Sequence, residues 1–286
     1  MLSSILSILW LSVTEFVSLI GGLVIGGFAL GFLERLTNRQ VFAALGEKGI
    51  YMTAWLGTPV HELGHALMCV IFRHKVTEIR LLQKRREDGT IGYVRHTYSP
   101  DSLYQQIGNF YIGLAPLISG SLAVLACAYF LLPDSSALIL SYFTGGIRAF
   151  SLFDTASWQT LGTALVAIIG SLLTWENLFR PSFWLFVILV LCISSRMSLS
   201  SNDIRGARSG ASALFFCFIL VNSLLFLLDP VFLSRIMAGI ARFNAWLLIL
   251  LGLSVFFSFL NLILSSLICM IRRGAARLNH RDKQSF

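Results

Sequence analysis

The chain has 286 residues, of which 56% are hydrophobic and only 13% are charged, and its mean hydropathy is +0.77. Soluble domains carry about 25% charged residues, so this composition excludes an ordinary soluble protein and indicates a polytopic membrane protein. The formal net charge is +8. The basic residues lie in loops and in the C-terminal tail, where anionic headgroups explain them, so no nucleic-acid partner is expected.

The first predicted element is an apolar segment over residues 5–33, which is long enough to span a bilayer and contains one acidic residue, Glu15. No Lys or Arg precedes it, so a cleaved secretory signal is not expected. Glu15 is expected either to face the bundle interior or to lie near an interface. Residues 34–50 are mixed in charge and predict a short amphipathic connector on the membrane surface. An apolar helix is then predicted over residues 51–73.

This second helix contains the motif His61-Glu62-Leu63-Gly64-His65, which has the pattern H-E-x-x-H. Residues four apart lie on the same face of a helix, so the two imidazoles converge on one point where a zinc ion fits. Zinc lowers the pKa of a bound water to roughly 7, and Glu62 can act on that water as general base. The alternative is that His61 and His65 are hydrogen-bonded core histidines and that Glu62 is a capping or pairing residue.

The most polar stretch of the chain, residues 73–100, predicts a β-hairpin. Two alternating runs, Val76–Leu82 and Ile91–Tyr98, flank an Asp-Gly turn at residues 87–90. Its density of Lys and Arg predicts a cytoplasmic location. An edge strand beside a hydrolytic site can hold an extended substrate by strand addition. The alternative, equally supported, is a solvated basic hairpin that contacts lipid headgroups.

Residues 103–132 predict a further apolar helix with unusual Gly and Pro content, including Gly113 and Pro116. Such a helix either packs against the metal site, with Asn109 available to substrate or water, or is a span with an ordinary proline kink. Residues 136–175 are compatible with two short spans, a re-entrant pair, or one span plus an interfacial helix. Two spans are preferred, because that number places the later basic loops on the same side as the hairpin. Later spans are predicted over 181–199, 209–228 and 243–271, with a basic tail after the last.

A catalytic zinc site needs three protein ligands and one open position, so a third ligand must come from elsewhere in the chain. The carboxylate of Asp203 is the favoured candidate, because it closes an apolar span among small polar residues that can orient it. Glu176 and Asp154 flank an apolar segment and remain alternatives. The other candidates are expected to be turn or cap residues (Asp101 and Asp229) or solvated loop residues (His74 and His96).

The H-E-L-G-H motif in an apolar helix, the hairpin after it, the Gly/Pro-marked helix and the distant Asp203 together resemble the site-2 protease class of membrane metallopeptidases. The resemblance covers residues 50–210 and implies that His61, His65 and a distant aspartate bind Zn²⁺ and that Glu62 is catalytic. That class usually has Leu-Asp-Gly at the third ligand and Asn-x-x-Pro upstream, whereas this chain has Asn202-Asp203-Ile-Arg-Gly206. It is therefore similar to a divergent branch.

These observations predict an all-α polytopic membrane protein with about six to eight transmembrane helices and a small cytoplasmic β-hairpin after the motif helix. Residues 1–286 are expected to form a single membrane domain, with 50–210 as the metalloprotease core and 1–49 and 211–286 as flanking spans and basic tail. The expected location is the bacterial plasma membrane, with the hairpin and the C-terminal tail in the cytoplasm.

The predicted function is a zinc metalloendopeptidase that hydrolyses peptide bonds of membrane or membrane-proximal protein substrates. A second hypothesis is a chambered membrane zinc protease that trims lipidated or soluble C-termini; the span count and the lack of a large lumenal domain argue against it. A third is a non-proteolytic transporter or assembly factor with a structural metal site, which four protein ligands would close.

Overall fold

The structure, a computed structural model, describes residues 2–87, 89–144 and 153–282. The chain is mostly helical with one small antiparallel sheet, as the sequence predicts. In chain order the elements are α1 (Leu2–Ile71), β1 (Lys75–Arg80), β2 (Tyr93–Thr97), α2 (Leu103–Leu131), α3 (Pro133–Thr144), α4 (Thr155–Leu172), α5 (Trp175–Leu178), α6 (Pro181–Ser194), α7 (Ser201–Leu228) and α8 (Pro230–Asp282).

Four helices in the described part of the chain are long and apolar enough to cross a membrane. They are Ile8–Ile71 of α1, Leu103–Leu131 (α2), Ser201–Leu228 (α7) and Pro230–Ala275 of α8. Their outer faces expose large apolar side chains such as Phe28, Phe130 and Phe216. Water would leave these side chains unfavourably solvated, whereas lipid would cover them, so the chain is a membrane-embedded protein.

Helix α1 joins two elements that the sequence predicts separately, the first span and the motif helix. The predicted connector over residues 34–50 is helical, and the break within it is at Gly46, whose φ is 65° and ψ is −154°. A positive φ is accessible to glycine without steric cost. The helix axis therefore changes direction at a single glycine, without a loop between the two halves of α1.

The middle of the chain is built from short helices, one of which, the helix predicted over residues 181–199, is shorter than the sequence predicts. The two short spans predicted over residues 136–175 correspond to α3 and α4, and residues 145–150 of the first lie outside the described residues. The span predicted over 181–199 is α6, which has 14 residues. It ends at Ser194 because the polar run beginning there turns away from the helix, and the Ser195 hydroxyl donates to the Cys192 carbonyl at 2.8 Å.

The last two spans begin earlier than predicted because polar residues cap them. The Ser200 side chain accepts from the Asp203 N–H, and the Asp203 side chain accepts from the Ser200 N–H, which is a capping box. Helix α7 therefore starts at Ser201, and Asp203 lies in its first turn rather than at the end of the preceding span. Helix α8 starts at Pro230, and the Asp229 carboxylate before it accepts from the Phe232 N–H.

The predicted hairpin is present as the antiparallel pair β1 and β2, with a register shift between Val76 and Glu78. Across the pair, the Glu78 carboxylate accepts from the Tyr93 hydroxyl at 2.6 Å and from Arg95 Nη1 at 3.2 Å. The Tyr93 hydrogen bond in particular lowers the pKa of Glu78. The turn at residues 87–90 includes Gly89 at φ 86°, and Asp88 lies outside the described residues.

The motif helix, α2 and α7 approach one another closely through glycines. A Cβ on Gly64 would lie 2.7 Å from Ser119 Cβ of α2. A Cβ on Gly113 of α2 would meet the Asp203 carbonyl and lie 2.6 Å from the Ala207 nitrogen, both on α7. In a bilayer the hydrophobic effect does not drive helices together, so association depends on close packing. Small residues allow helix backbones to approach closely enough for that packing. These contacts bring the first turn of α7 next to the motif.

Replacing Gly113 by alanine is expected to lower thermal stability, because the new methyl group meets backbone atoms of α7 that cannot rotate away. Overpacking of this kind costs about 1–3 kcal/mol. The matched control is Gly162→Ala in α4, where a Cβ meets nothing within 4 Å and where alanine favours the helix. The measurement is the midpoint of thermal unfolding in detergent. Equal midpoints for both variants would contradict the close packing of α2 on α7.

Candidate metal centre

The two motif histidines lie one turn apart on α1 and point their rings at the same place. The His61 and His65 Nε2 atoms are 3.2 Å apart, and the ring centroids are 4.9 Å apart. The side chains are largely buried, with exposed fractions of 16% and 9%. The i, i+4 spacing of the motif therefore brings the rings together as the helix geometry requires.

Backbone carbonyls from two other elements fix the orientation of both rings. His61 Nδ1 lies 2.8 Å from the Arg196 carbonyl oxygen, and His65 Nδ1 lies 2.8 Å from the Ile112 carbonyl oxygen on α2. A carbonyl only accepts, so each Nδ1 carries the proton and donates it. In the neutral rings both Nε2 atoms then present lone pairs, which is the tautomer that a metal-binding histidine needs.

The carboxylate of Asp203 completes the cluster. Oδ1 lies 3.3 Å from His65 Nε2, and Oδ2 lies 3.8 Å from His61 Nε2. Oδ2 also accepts the Ser200 N–H at 2.7 Å, so the capping box orients the carboxylate. Of the small polar residues that the sequence suggested as its supports, Ser200 has this role, whereas Ser198 donates to Glu34.

The donor set fits a divalent metal ion. Two lone-pair nitrogens and a carboxylate converge, so a positive charge is required there, either as a proton on one ring or as a metal ion. Zinc bonds of about 2.0–2.2 Å place tetrahedral ligand atoms about 3.3–3.6 Å apart. The separations of 3.2 Å between the two Nε2 atoms and 3.3 Å between His65 Nε2 and Asp203 Oδ1 lie close to that spacing. With one ligand atom taken from each of the three residues, all three atoms lie within 4.8 Å of one another. Histidine nitrogens and one carboxylate oxygen are ligands that zinc accepts.

The cluster borders a cavity of about 260 Å³, which leaves a side of the centre open. Its lining includes His61, Glu62, His65, His96, Asn109 and Asp203. Within the described part of the chain, the group that could hold an ion has three members, whereas a structural zinc site has four. Three candidate ligands beside an open cavity match the ligand number that catalytic zinc sites have in general.

Glu62 lines the same cavity, and the residue is 5% exposed. The segment before β2 covers it, since a Cβ on Gly92 would lie 2.9 Å from Glu62 Cγ and 2.7 Å from Thr58 Cγ2. A carboxylate beside the metal position and shielded from bulk solvent is suited to exchanging protons with a water in the cavity.

The other acidic candidates lie away from the cluster and are exposed. Asp154 is the N-cap of α4, where it accepts from the Ala156 and Ser157 N–H groups. Glu176 lies in the first turn of α5. Asp101 lies in the turn before α2, and Asp229 caps α8, as the sequence predicts for both.

The prediction that His74 is solvated is wrong, and His96 is half-buried. His74 is 5% exposed, and its Nδ1 lies 3.0 Å from His96 Nδ1. His96 lines the cavity together with Gly92 and Val94. These residues are two apart on an extended segment and share one face. The period-2 pattern of this segment therefore indicated the shared face, but Arg95, which lies between Val94 and His96 in the sequence, obscured it.

The sequence analysis also missed an ion pair that positions the centre. Arg196 Nη1 lies 3.0 Å from Glu34 Oε1, and the side chains are only 12% and 13% exposed. Ser198 donates to the other Glu34 oxygen. Since the Arg196 carbonyl accepts from His61, this pair ties the loop before α7 to both halves of α1. The sequence does contain an indication of this ion pair, because an acidic residue at the end of an apolar segment needs a cationic partner such as a distant arginine.

The variant Asp203→Asn is expected to weaken zinc binding by more than about tenfold. Losing a partner of a metal ligand already costs about 10–100-fold, and Asp203 is itself a ligand candidate. The matched control is Asp154→Asn, which alters another aspartate at a helix N-terminus and should bind zinc as the wild type does. Competition with a chelator, followed by metal analysis, measures both. Equal loss in the two variants would remove Asp203 from the centre.

The chain matches no protein-family model, no curated protein and no solved structure. The functional assignment of the centre therefore depends on its own geometry.

Proposed function

We propose that the chain is a membrane-embedded zinc metalloprotease that hydrolyses peptide bonds of membrane or membrane-proximal proteins. His61, His65 and Asp203 hold the Zn²⁺, and Glu62 is the catalytic acid and base. The observation that carries the proposal is the convergence of two oriented Nε2 atoms and one carboxylate beside a cavity that also contains a buried glutamate.

When bound, Zn²⁺ supplies Lewis-acid chemistry, which polarises a carbonyl and acidifies water. The protein residues do the rest. Glu62 removes a proton from the attacking water and returns it to the nitrogen of the leaving amine. The Arg196 and Ile112 carbonyls keep the two imidazoles in one tautomer throughout, so the centre needs no rearrangement. Asn109 offers the cavity an amide that can donate to a substrate carbonyl.

The hairpin is suited to holding the substrate. Residues from Thr90 to His96 border the cavity, so an extended peptide beside β2 would pass the metal position. A transmembrane substrate must unwind locally, because a helical carbonyl is already hydrogen-bonded and shielded. The exposed basic side chains of the hairpin, including Lys75, Arg80 and Arg95, also suit contact with anionic headgroups.

The chain is proposed to be a multi-pass protein of the bacterial plasma membrane, with about six to eight transmembrane spans in total. The basic hairpin and the C-terminal tail face the cytoplasm under the positive-inside rule. Helix α1 supports a count above four, because it contains two apolar stretches on either side of Gly46. The short apolar helix α6 adds to the hydrophobic layer without the length of a full span.

A transporter or assembly factor with a structural metal site is less well supported. A structural zinc ion is held by four protein ligands and needs neither a cavity nor an adjacent general base. The cluster in the described residues has three members, and Glu62 lies in the cavity beside them.

The variant Glu62→Gln is expected to lower proteolysis by about 10²–10⁴-fold, because the amide cannot accept the proton of the attacking water. Zinc content should be unchanged, since Glu62 is not a ligand. The measurement is a map of new protein N-termini in membranes from cells that express each form, followed by cleavage of the peptides found.

The matched control is Glu47→Gln, an exposed glutamate of the same helix, which should cleave as the wild type does. The same new N-termini, at the same levels, from wild type and Glu62→Gln would contradict the proposed mechanism.

A further inference from the structure

Two histidines outside the metal centre form a hydrogen-bonded chain that ends at the catalytic cavity. His74 Nε2 lies 2.9 Å from the Gln105 carbonyl oxygen at the start of α2, and His74 Nδ1 lies 3.0 Å from His96 Nδ1. Tyr98 stacks on the His74 ring with the centroids 5.2 Å apart and the planes 16° apart. A Cβ on Gly108 would lie 2.9 Å from His74 Nε2, so α2 approaches the ring closely.

The hydrogen bonds determine the tautomer of both rings. The Gln105 carbonyl only accepts, so His74 Nε2 carries a proton and donates it. A neutral His74 then has a lone pair at Nδ1, and His96 Nδ1 must donate to it. His96 Nδ1 therefore carries the proton of that ring, and His96 Nε2 carries the lone pair.

Both rings are expected to be neutral near pH 7. Burial lowers the pKa of His74, although the hydrogen bond to Gln105 opposes this. Burial and the neighbouring His74 lower the pKa of His96. A neutral His96 has one acceptor nitrogen and no donor left over.

His96 lines the cavity, and its Nδ1 is turned toward buried His74, which does not line the cavity. Nε2 is therefore the ring nitrogen of His96 that His74 leaves available to the cavity. The acidic groups there have other tasks under the proposed function, since Asp203 holds the ion and Glu62 exchanges a proton. An unwound peptide brings N–H groups that must find acceptors, because an unpaired one is costly in a site shielded from water. His96 Nε2 is a neutral acceptor at the border of the same cavity.

We propose that His96 is a substrate-binding residue, whose Nε2 accepts a hydrogen bond from a backbone N–H of the peptide in the cavity. His74 is a positioning residue, because it holds His96 in the tautomer that leaves Nε2 as acceptor. This inference rests on the proposed function for the identity of the ligand, which is a peptide in extended conformation. In many enzymes a third group orients the catalytic base by a hydrogen bond. His74 orients His96 in the same way, but here the oriented residue binds the substrate.

The test uses the full-length, zinc-loaded protein in detergent and two probes that bind a zinc centre, a leucine-containing dipeptide hydroxamate and acetohydroxamic acid. For His96→Phe we expect the dipeptide hydroxamate to bind about 2- to 10-fold more weakly than to wild type, the value of one neutral hydrogen bond. Acetohydroxamic acid, which has no peptide portion, should bind both forms equally. His96→Gln keeps an acceptor and should recover part of the loss.

The matched control is Thr97→Val, an exposed position next to His96 on the same strand, which should bind both probes as the wild type does. Equal affinity of wild type and His96→Phe for the dipeptide hydroxamate would overturn the proposal. Equal weakening of both probes would also overturn it, since His96 would then act through the metal centre.

The positioning role of His74 has its own readout. The chain has only five histidines, so ¹⁵N-histidine labelling gives few signals, and long-range ¹H–¹⁵N spectra distinguish the tautomers. We expect His96 protonated at Nδ1 in wild type and a mixture of tautomers in His74→Phe. The Nε2-protonated form of His96 in wild type would overturn the inference.

These measurements do not depend on catalysis. A wild type that cleaves no peptide, but whose dipeptide hydroxamate binding depends on His96, would reject the protease and keep the binding residue. Cleavage that depends on Glu62, together with equal binding of the dipeptide hydroxamate by wild type and His96→Phe, would keep the protease and reject His96 as a binding residue.

Discussion

Ionisable groups inside an apolar helix bundle are stable only when a neighbouring element supplies a counter-charge or a hydrogen bond. In this protein the partners come from distant parts of the chain. Glu34 of α1 pairs with Arg196 after α6, at 3.0 Å. Asn222 of α7 donates to Glu15 of α1 at 2.7 Å. Each pair gives one carboxylate oxygen of an acidic residue a hydrogen-bond partner, and each also holds a second element against α1.

The candidate metal centre is the point where several of these connections meet. α1 supplies both imidazoles, α2 and the segment after α6 supply the carbonyls that orient them, and α7 supplies the carboxylate. Gly64 and Gly113 allow the backbones to come close enough for these bonds. A shift of any one helix would separate at least one pair, so packing and site geometry are not independent.

Much of the site was accessible from the sequence, and the reasons are physical. The convergence of His61 and His65 follows from helix periodicity alone. The choice of Asp203 followed from ligand type and depth, although its position in the first turn of α7 was missed, because the capping box with Ser200 was not recognised. Hydropathy measures composition, so it could not show that α6 stops at Ser194. Hydropathy also did not predict the burial of His74, because that burial depends on contacts with α2 that no local sequence pattern encodes.

The carboxylate of Asp203 belongs to a helix cap and to the ion-binding cluster at the same time. Oδ2 is engaged by a backbone N–H at 2.7 Å, while Oδ1 faces His65 at 3.3 Å. The cap is a local feature of the chain and forms with the first turn of α7, whatever the cluster contains. The Asp203 carboxylate would therefore keep its position with or without an ion at the proposed centre, and loss of such an ion would leave the first turn of α7 folded.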